Sequence, residues 1–237
     1  MENVEDTEVI QEKIQNIPSK KPVAFGFSDF FEKNKKIVTY GGGGLLILIL
    51  AVSYYFYRNN GREEEAQNAM FRAQRYYEAD SINLALKGDG TASGMGMIEI
   101  ADEYSGTKSG QLAHYYIGMA RLHEGKYQEA IDNLEDFHLK SAIVYPLALG
   151  GLGDAYSQMK DYEKAAKYYM RAADDNDNQF TTPKFLKKAG LVYEKLGEYQ
   201  KALDNYKKIK EKYKTTQDMM DIDKYIARAQ AENGGKE

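Results

Sequence analysis

The chain has 237 residues and a mass of 26.9 kDa, room for one or two domains, and 43% apolar with 29% charged residues excludes a collagenous or wholly disordered protein. A formal charge of −4, with 6 basic and 7 acidic residues in 1–36 and 26 and 29 after it, leaves no basic region of the kind nucleic acid requires. The absence of cysteine excludes disulfides, thiol nucleophiles, cysteine-ligated zinc and a lipid-anchored cysteine, and leaves the compartment open.

In residues 1–36, Val9, Ile10, Ile14 and Ile17 form a short apolar stripe at helical spacing that Pro18 and Pro22 end. Phe25, Phe27, Phe30 and Phe31 lie next to lysines, as an interfacial collar would. The composition predicts a largely disordered cytoplasmic tail with one nascent amphipathic helix; a docking segment is the alternative.

Ile37–Tyr57 follows, 21 residues without a charge in a chain whose mean hydropathy is −0.64. As a helix this run would be roughly 31 Å long, the thickness of a bilayer's hydrocarbon core, so a transmembrane helix is expected over 37–57. Tyr54, Tyr55 and Tyr57 suit the membrane–water interface at its end. Lys33, Lys35 and Lys36 precede the run, whereas Arg58 and Arg62 follow it with Glu63, Glu64 and Glu65 close behind. The positive-inside rule then puts the N-terminus in the cytoplasm and the remainder outside. A cleaved signal peptide is the competing reading, because Ala51, Val52 and Ser53 have the small-residue spacing of a peptidase site; the long, acidic preceding region argues for a retained anchor. Gly41–Gly44 lacks the GxxxG spacing and reads as a weak start to the span.

Residues 58–110 are read as a linker helix and degenerate capping helices. Glu63–Leu86 is helical in composition, with Ala66, Ala69, Met70, Ala73, Tyr76 and Tyr77 on one broad face. Gly88–Gly96 is a glycine-rich break, and Met97–Tyr104 a short helix.

Beyond residue 110 the chain repeats itself. Stretches 111–144, 146–179 and 183–216 align, with Ala130, Ala165 and Ala202 equivalent. Gly118, Gly153 and Gly190 stand mid-way along a first helix, where a missing side chain admits a partner helix. Gly125, Lys160 and Gly197 fall at the turn, and Leu134, Tyr169 and Tyr206 lie one turn beyond the alanines. Pro146 and Pro183 open frames where a missing N–H costs nothing, and Thr182 is placed to cap the last. Asp218–Ala231 reads as a terminal solvating helix within a 217–237 cap and tail.

These three frames resemble the tetratricopeptide repeat. The middle one carries Leu152, Gly153, Tyr156, Tyr162, Ala165, Tyr169 and Ala172 at the signature positions, while the first departs at Arg121, where an aromatic is usual, and at Phe137. The resemblance implies an all-α fold, a single transmembrane helix followed by an α-solenoid of three repeats over 111–216, in which each helix pair buries its core against its neighbours.

No catalytic constellation stands out, and the chain reads as non-enzymatic, without cofactor or metal. His114, His123 and His138 lack metal-ligand spacing, the glycines of 88–96 form neither GxGxxG nor a P-loop, and Asp174–Asp177 reads as an inter-repeat turn. Binding is the better-supported class. The resemblance implies a groove lined by the first helices that holds a partner segment, and carries it onto Tyr115, Met119 and His123, then Asp154 and Ser157, then Lys184, Lys187, Leu191 and Glu194. Tyr115 and Met119 read equally well as inter-helix core. Lys184 and Lys188 match one part of a carboxylate clamp, but Tyr115, Met119 and Gly151 replace the rest.

An N-in span followed by such repeats, with the stretch Ile100–Leu139, resembles the bacterial family of ancillary SecYEG translocon subunits. That resemblance implies a periplasmic, inner-membrane-tethered interaction module that assists exported polypeptides and meets translocon subunits. The alternative is a scaffold of a fixed envelope complex for division or secretion.

Overall fold

Among the residues described by a computed structural model, 34–91, 94–217 and 220–234, the regular elements are α-helices, and the chain divides into two units, 1–56 and 57–237. The expectations for the tail before residue 34 lie outside the described residues.

Helix α1 runs Lys35–Glu78. Its segment Lys35–Tyr55, 21 residues with mean hydropathy 1.8 and none of its window buried, is long and apolar enough to cross a membrane by length and composition. A Cβ added at any of Gly41–Gly44 would meet nothing within 4 Å.

In the second unit α1 buries Ala66, Met70 and Ala73, apolar residues on one face at helical spacing. The helical composition predicts continuity to Leu86, but the structure breaks the helix at Ala79–Ser81 and restarts it as α2, Ile82–Lys87. The cause is Asp80, whose φ of 56° turns the backbone left-handed. The Asp80 and Ser81 amides donate back to the Tyr77 and Tyr76 carbonyls at 3.1 and 2.8 Å, closing the helix end as a C-terminal glycine would.

The glycine-rich break is a tight backbone contact. Gly88 bridges Met95, and a Cβ on Gly88 would lie 2.1 Å from the Gly94 carbonyl oxygen, so side chains are excluded there. Helix α3, Met97–Glu103, follows.

Three helix pairs come next: α4 (Lys108–His123) with α5 (Tyr127–Asp136), α6 (Val144–Gln158) with α7 (Tyr162–Asp174), and α8 (Thr182–Lys195) with α9 (Tyr199–Lys212). Helix α10, Ile222–Gly234, packs on α9. A Cβ on Gly118 would lie 2.5 Å from Leu134, one on Gly153 2.5 Å from Tyr169, and one on Gly190 2.4 Å from Tyr206. These helices approach so closely because no side chain stands between the first helix and the large residue of the second.

Each first helix ends like α1. Gly125, Lys160 and Gly197 have φ of 76°, 63° and 73°, and each is followed by an amide that donates back to Arg121, Tyr156 or Tyr193. Seven residues before these turns stand Gly118, Gly153 and Gly190, and seven before Asp80 stands the fully buried Ala73. The last turns of α1 are therefore built as the first helix of a pair, with α2, the glycine loop and α3 in place of its partner.

Two long-range contacts fix that helix, one against the start of α4 and one against the end of α3. The Glu63 carboxylate accepts from the Lys108 amide at 2.5 Å, the Ser109 amide at 3.2 Å and the Ser109 hydroxyl at 2.7 Å, satisfying free N–H groups at a helix start with a negative charge. Arg62 donates to the Glu103 carbonyl and lies over the Tyr104 ring. Thr182 does not cap α8: it is inside the helix, its Oγ1 accepts from the Asn178 amide, and Thr181 precedes it without a side-chain cap. Asn178 takes over the turn, its side-chain oxygen accepting from the Phe180 and Thr181 amides at 2.8 Å each.

Candidate protein-binding cleft

The first helices present two kinds of surface. Towards the N-terminal end, Tyr77 of α1 and Asp80 and Ile82 after it face Met119, Leu122 and His123 of α4 across a cleft of about 360 Å³. Met119 and His123, expected from the repeat register, are brought together here. Tyr77, Asp80 and Ile82 join them, and their signal was the helix end at Asp80, visible only once its left-handed turn is set beside those of Gly125, Lys160 and Gly197; Leu122 joins them too, at the register position of Ser157 and Glu194.

Tyr115 stands beside the cleft in an aromatic cluster. Its ring centroid lies 5.4 Å from Tyr116 and 5.8 Å from Phe137, and Tyr116 meets Tyr77 edge-on at 5.1 Å. Burial, with smaller effects of the neighbouring tyrosines, pushes the Tyr115 phenol up to about 12. Its ring is packing between helices, of the kind that holds a cleft wall in place.

Further along, polar groups close on one another. Asp154 accepts from the Tyr169 hydroxyl at 2.5 Å and from the Lys188 ammonium at 2.5 and 2.7 Å. Burial followed by the Asp154 charge raises the Tyr169 phenol far above its ordinary range, against a smaller lowering effect of Ser157. Glu194 repeats the arrangement, accepting from Tyr206 at 2.8 Å and from Arg228 at 2.8 and 3.0 Å. Lys187 pairs with Asp221 at 2.8 Å and lies 5.0 Å from the Tyr225 ring centre. Leu191 is partly buried, and Lys184 is exposed with its ammonium 5.8 Å from the Phe185 ring centre.

Asp154, Lys187 and Glu194 are thus engaged within the array, and Lys188, the base that matched a carboxylate clamp, is bound to Asp154. Each of the pairs Asp154–Lys188, Lys187–Asp221 and Glu194–Arg228 spans 34 residues, one frame. The first joins the second frame to the third, and the other two join the third frame to the segment of the terminal helix, whereas Met119 lines an apolar cleft.

Comparison with known proteins agrees with that geometry. Two family models, each described as tetratricopeptide repeat, match residues 147–174 and 188–216. The chain carries tetratricopeptide repeats. The tetratricopeptide fold is a protein-interaction fold; the first matched window falls on the helix pair α6–α7, and the second runs from within α8 through α9. Among curated proteins the chain is similar to the photosystem I assembly protein Ycf3 of Synechococcus sp. (strain CC9311), 34% identical over 87 residues, and to that of Prochlorococcus marinus (strain MIT 9303), 36% identical over 87 residues. Each alignment covers 35% of this chain, which spans about half (48%) of the length of these relatives.

Proposed function

We propose that this chain is a membrane-tethered, non-enzymatic interaction module whose repeats stand on the periplasmic side of a bacterial inner membrane and hold segments of exported polypeptides near the translocon. The observation that carries the reading is the cleft of Tyr77, Ile82, Met119, Leu122 and His123, an apolar site with a polar rim in a chain that also has a membrane-crossing-length helix. A flexible methionine beside rigid aromatics suits unrelated apolar side chains. Tethering would raise the local concentration of the cleft to the order of millimolar, so weak binding would suffice.

The relatives' names favour a second reading, in which the cleft holds subunits of one membrane complex during its assembly. Photocrosslinking from Met119 in the full chain in cells separates the two. Many exported chains together with translocon subunits support the first; one stoichiometric partner supports the second. Sidedness has its own test, because the chain has no cysteine. A Lys212→Cys chain is expected to react with a membrane-impermeant maleimide in intact spheroplasts; labelling only after lysis overturns the periplasmic placement.

A further inference from the structure

The other side of α4 holds a second cavity. At about 100° per residue, His114, Ile117 and Arg121 point roughly 165° away from Tyr115, Met119 and His123 around the helix axis. With residues of α3 and α5 they line a cavity of about 430 Å³. Its apolar lining is the buried Ala101 and Ile117 with the exposed Ile98 at the edge, and its charged lining is Asp102, Glu129 and Asp132 with Arg121.

The repeat register shows that this cavity is specific to the first pair. Arg121 occupies the position of Tyr156 and Tyr193, Asn133 that of Tyr168, and Glu129 that of Lys164. In the second pair these positions fill the space, with Tyr156 stacked on Tyr168 at 5.4 Å and the Lys164 ammonium 4.8 Å from the Tyr156 ring centre. In the first pair all three line the cavity instead. His114 stands where the second and third pairs have the buried Leu149 and Leu186, and its Nδ1 is sealed from solvent without a hydrogen-bond partner among the described residues. A polar group in a leucine position costs stability unless something offsets it.

The charges indicate the occupant. Arg121 is neutralised within the protein, by Glu124 at 2.8 Å and Glu129 at 3.0 Å. Asp132 accepts only from the uncharged Gln128 amide, and Asp102 has no ion pair, among the described residues. Two uncompensated carboxylates therefore stand beside an apolar lining, a pattern that complements a charged head on an aliphatic stem.

We infer that this cavity receives a basic side chain, arginine or lysine, of a protein partner, whose stem lies on Ile98, Ala101 and Ile117 and whose head meets Asp102 and Asp132. The site is separate from the cleft at Met119 and does not depend on what that cleft holds. It is tested by panning a displayed random-heptapeptide library against the full chain in nanodiscs, beside Arg121→Tyr, which restores the aromatic of the later pairs, and Asp132→Asn, a surface change that leaves the packing intact. The expected result is enrichment of peptides with arginine or lysine next to apolar residues on the parent chain, absent from both variants. The best such peptide should lose about tenfold or more in affinity when its basic residue becomes citrulline or norleucine. Equal enrichment on parent and variants, no basic enrichment, or unchanged binding after citrulline or norleucine replacement overturns the proposal. Binding of free N-acetyl-arginine amide without any peptide enrichment also overturns it, by showing a cation site that takes no protein partner.

Discussion

Leu134 in the first helix pair and Tyr169 and Tyr206 in the next two stand at one position of the repeat, each against a glycine, yet they organise opposite surfaces. Where the residue is tyrosine, its hydroxyl reaches a carboxylate on the first helix, and a base from the next first helix or from the terminal helix completes the set: Asp154 with Lys188, Glu194 with Arg228. Where it is leucine, no such group forms, and the positions of Asp154 and Ser157 carry Met119 and Leu122, which line a cleft. A hydroxyl thus decides whether the first-helix surface is bonded shut between repeats or left apolar and open. The second and third pairs gain cohesion by it, and the first leaves Met119 and Leu122 lining a cleft.

The largest effect is expected at high pH, because the tyrosines of the later pairs are held protonated. Burial and the carboxylates they bond raise Tyr168 and Tyr213 to about 12 and Tyr169 and Tyr206 further, from an ordinary value of 10.0. For a group whose folded pKa is raised, stability is intact below the unfolded value and falls as pH climbs above it. Cooperative loss of helix is therefore expected as pH rises from about 10 towards 12, with phenolate absorbance appearing alongside the loss of circular dichroism. Phenolate formation well before helix loss would show that the hydroxyls do not tie the pairs together.

Gly153→Ala and Gly190→Ala come next. The added Cβ would meet an aromatic ring at 2.5 and 2.4 Å, and overpacking exceeds the gain in helix propensity, so each should cost about 2 kcal/mol in denaturant unfolding. Gly118→Ala meets the Leu134 side chain, which adjusts more readily than a ring, and should cost about 1 kcal/mol or less. Equal costs at all three would remove the distinction between leucine and tyrosine packing.

Asp154→Asn keeps the shape and removes the charge that Lys188 and Tyr169 share, and about 1.5 kcal/mol of stability should be lost. Met119→Asp, at the same position of the first pair, should change stability less than it changes partner binding.

The smallest effect is at the turns. Lys160 holds a φ of 63° where the neighbouring pairs have glycine. Lys160→Gly should stabilise by about 0.5–1 kcal/mol, and Gly125→Ala and Gly197→Ala should destabilise by about 1 kcal/mol.

Much of the second unit's fold is legible in the sequence because glycine and large residue recur at fixed offsets. Gly118, Gly153 and Gly190 stand opposite Leu134, Tyr169 and Tyr206, and a short window holds both members. The break after Glu78 was hidden because aspartate makes a left-handed turn that glycine makes at Gly125 and Gly197. The Glu63 cap on Lys108 and Ser109 was hidden because its partners are 45 and 46 residues away and belong to no repeating pattern. Thr182 carried the residue type of a cap, but the turn at Asn178 engages its hydroxyl. At the site, the register located Met119 and His123 but could not reveal that Asp154, Lys187 and Glu194 are paired, since each bond joins a frame to the one after it or to the segment of the terminal helix and a frame read alone shows an unpaired charge. Opposite charges 34 residues apart were the available signal.

The claim that the first pair keeps an open apolar cleft is tested most directly by Met119→Lys in the full chain, compared with the parent for capture of apolar peptides and for unfolding by denaturant. Peptide capture should fall about tenfold or more while the unfolding midpoint moves little, because the residue lines a cleft and is only partly buried. Unchanged capture, or a collapse of stability in step with the loss of capture, would show that Met119 is core and that the partner is held elsewhere.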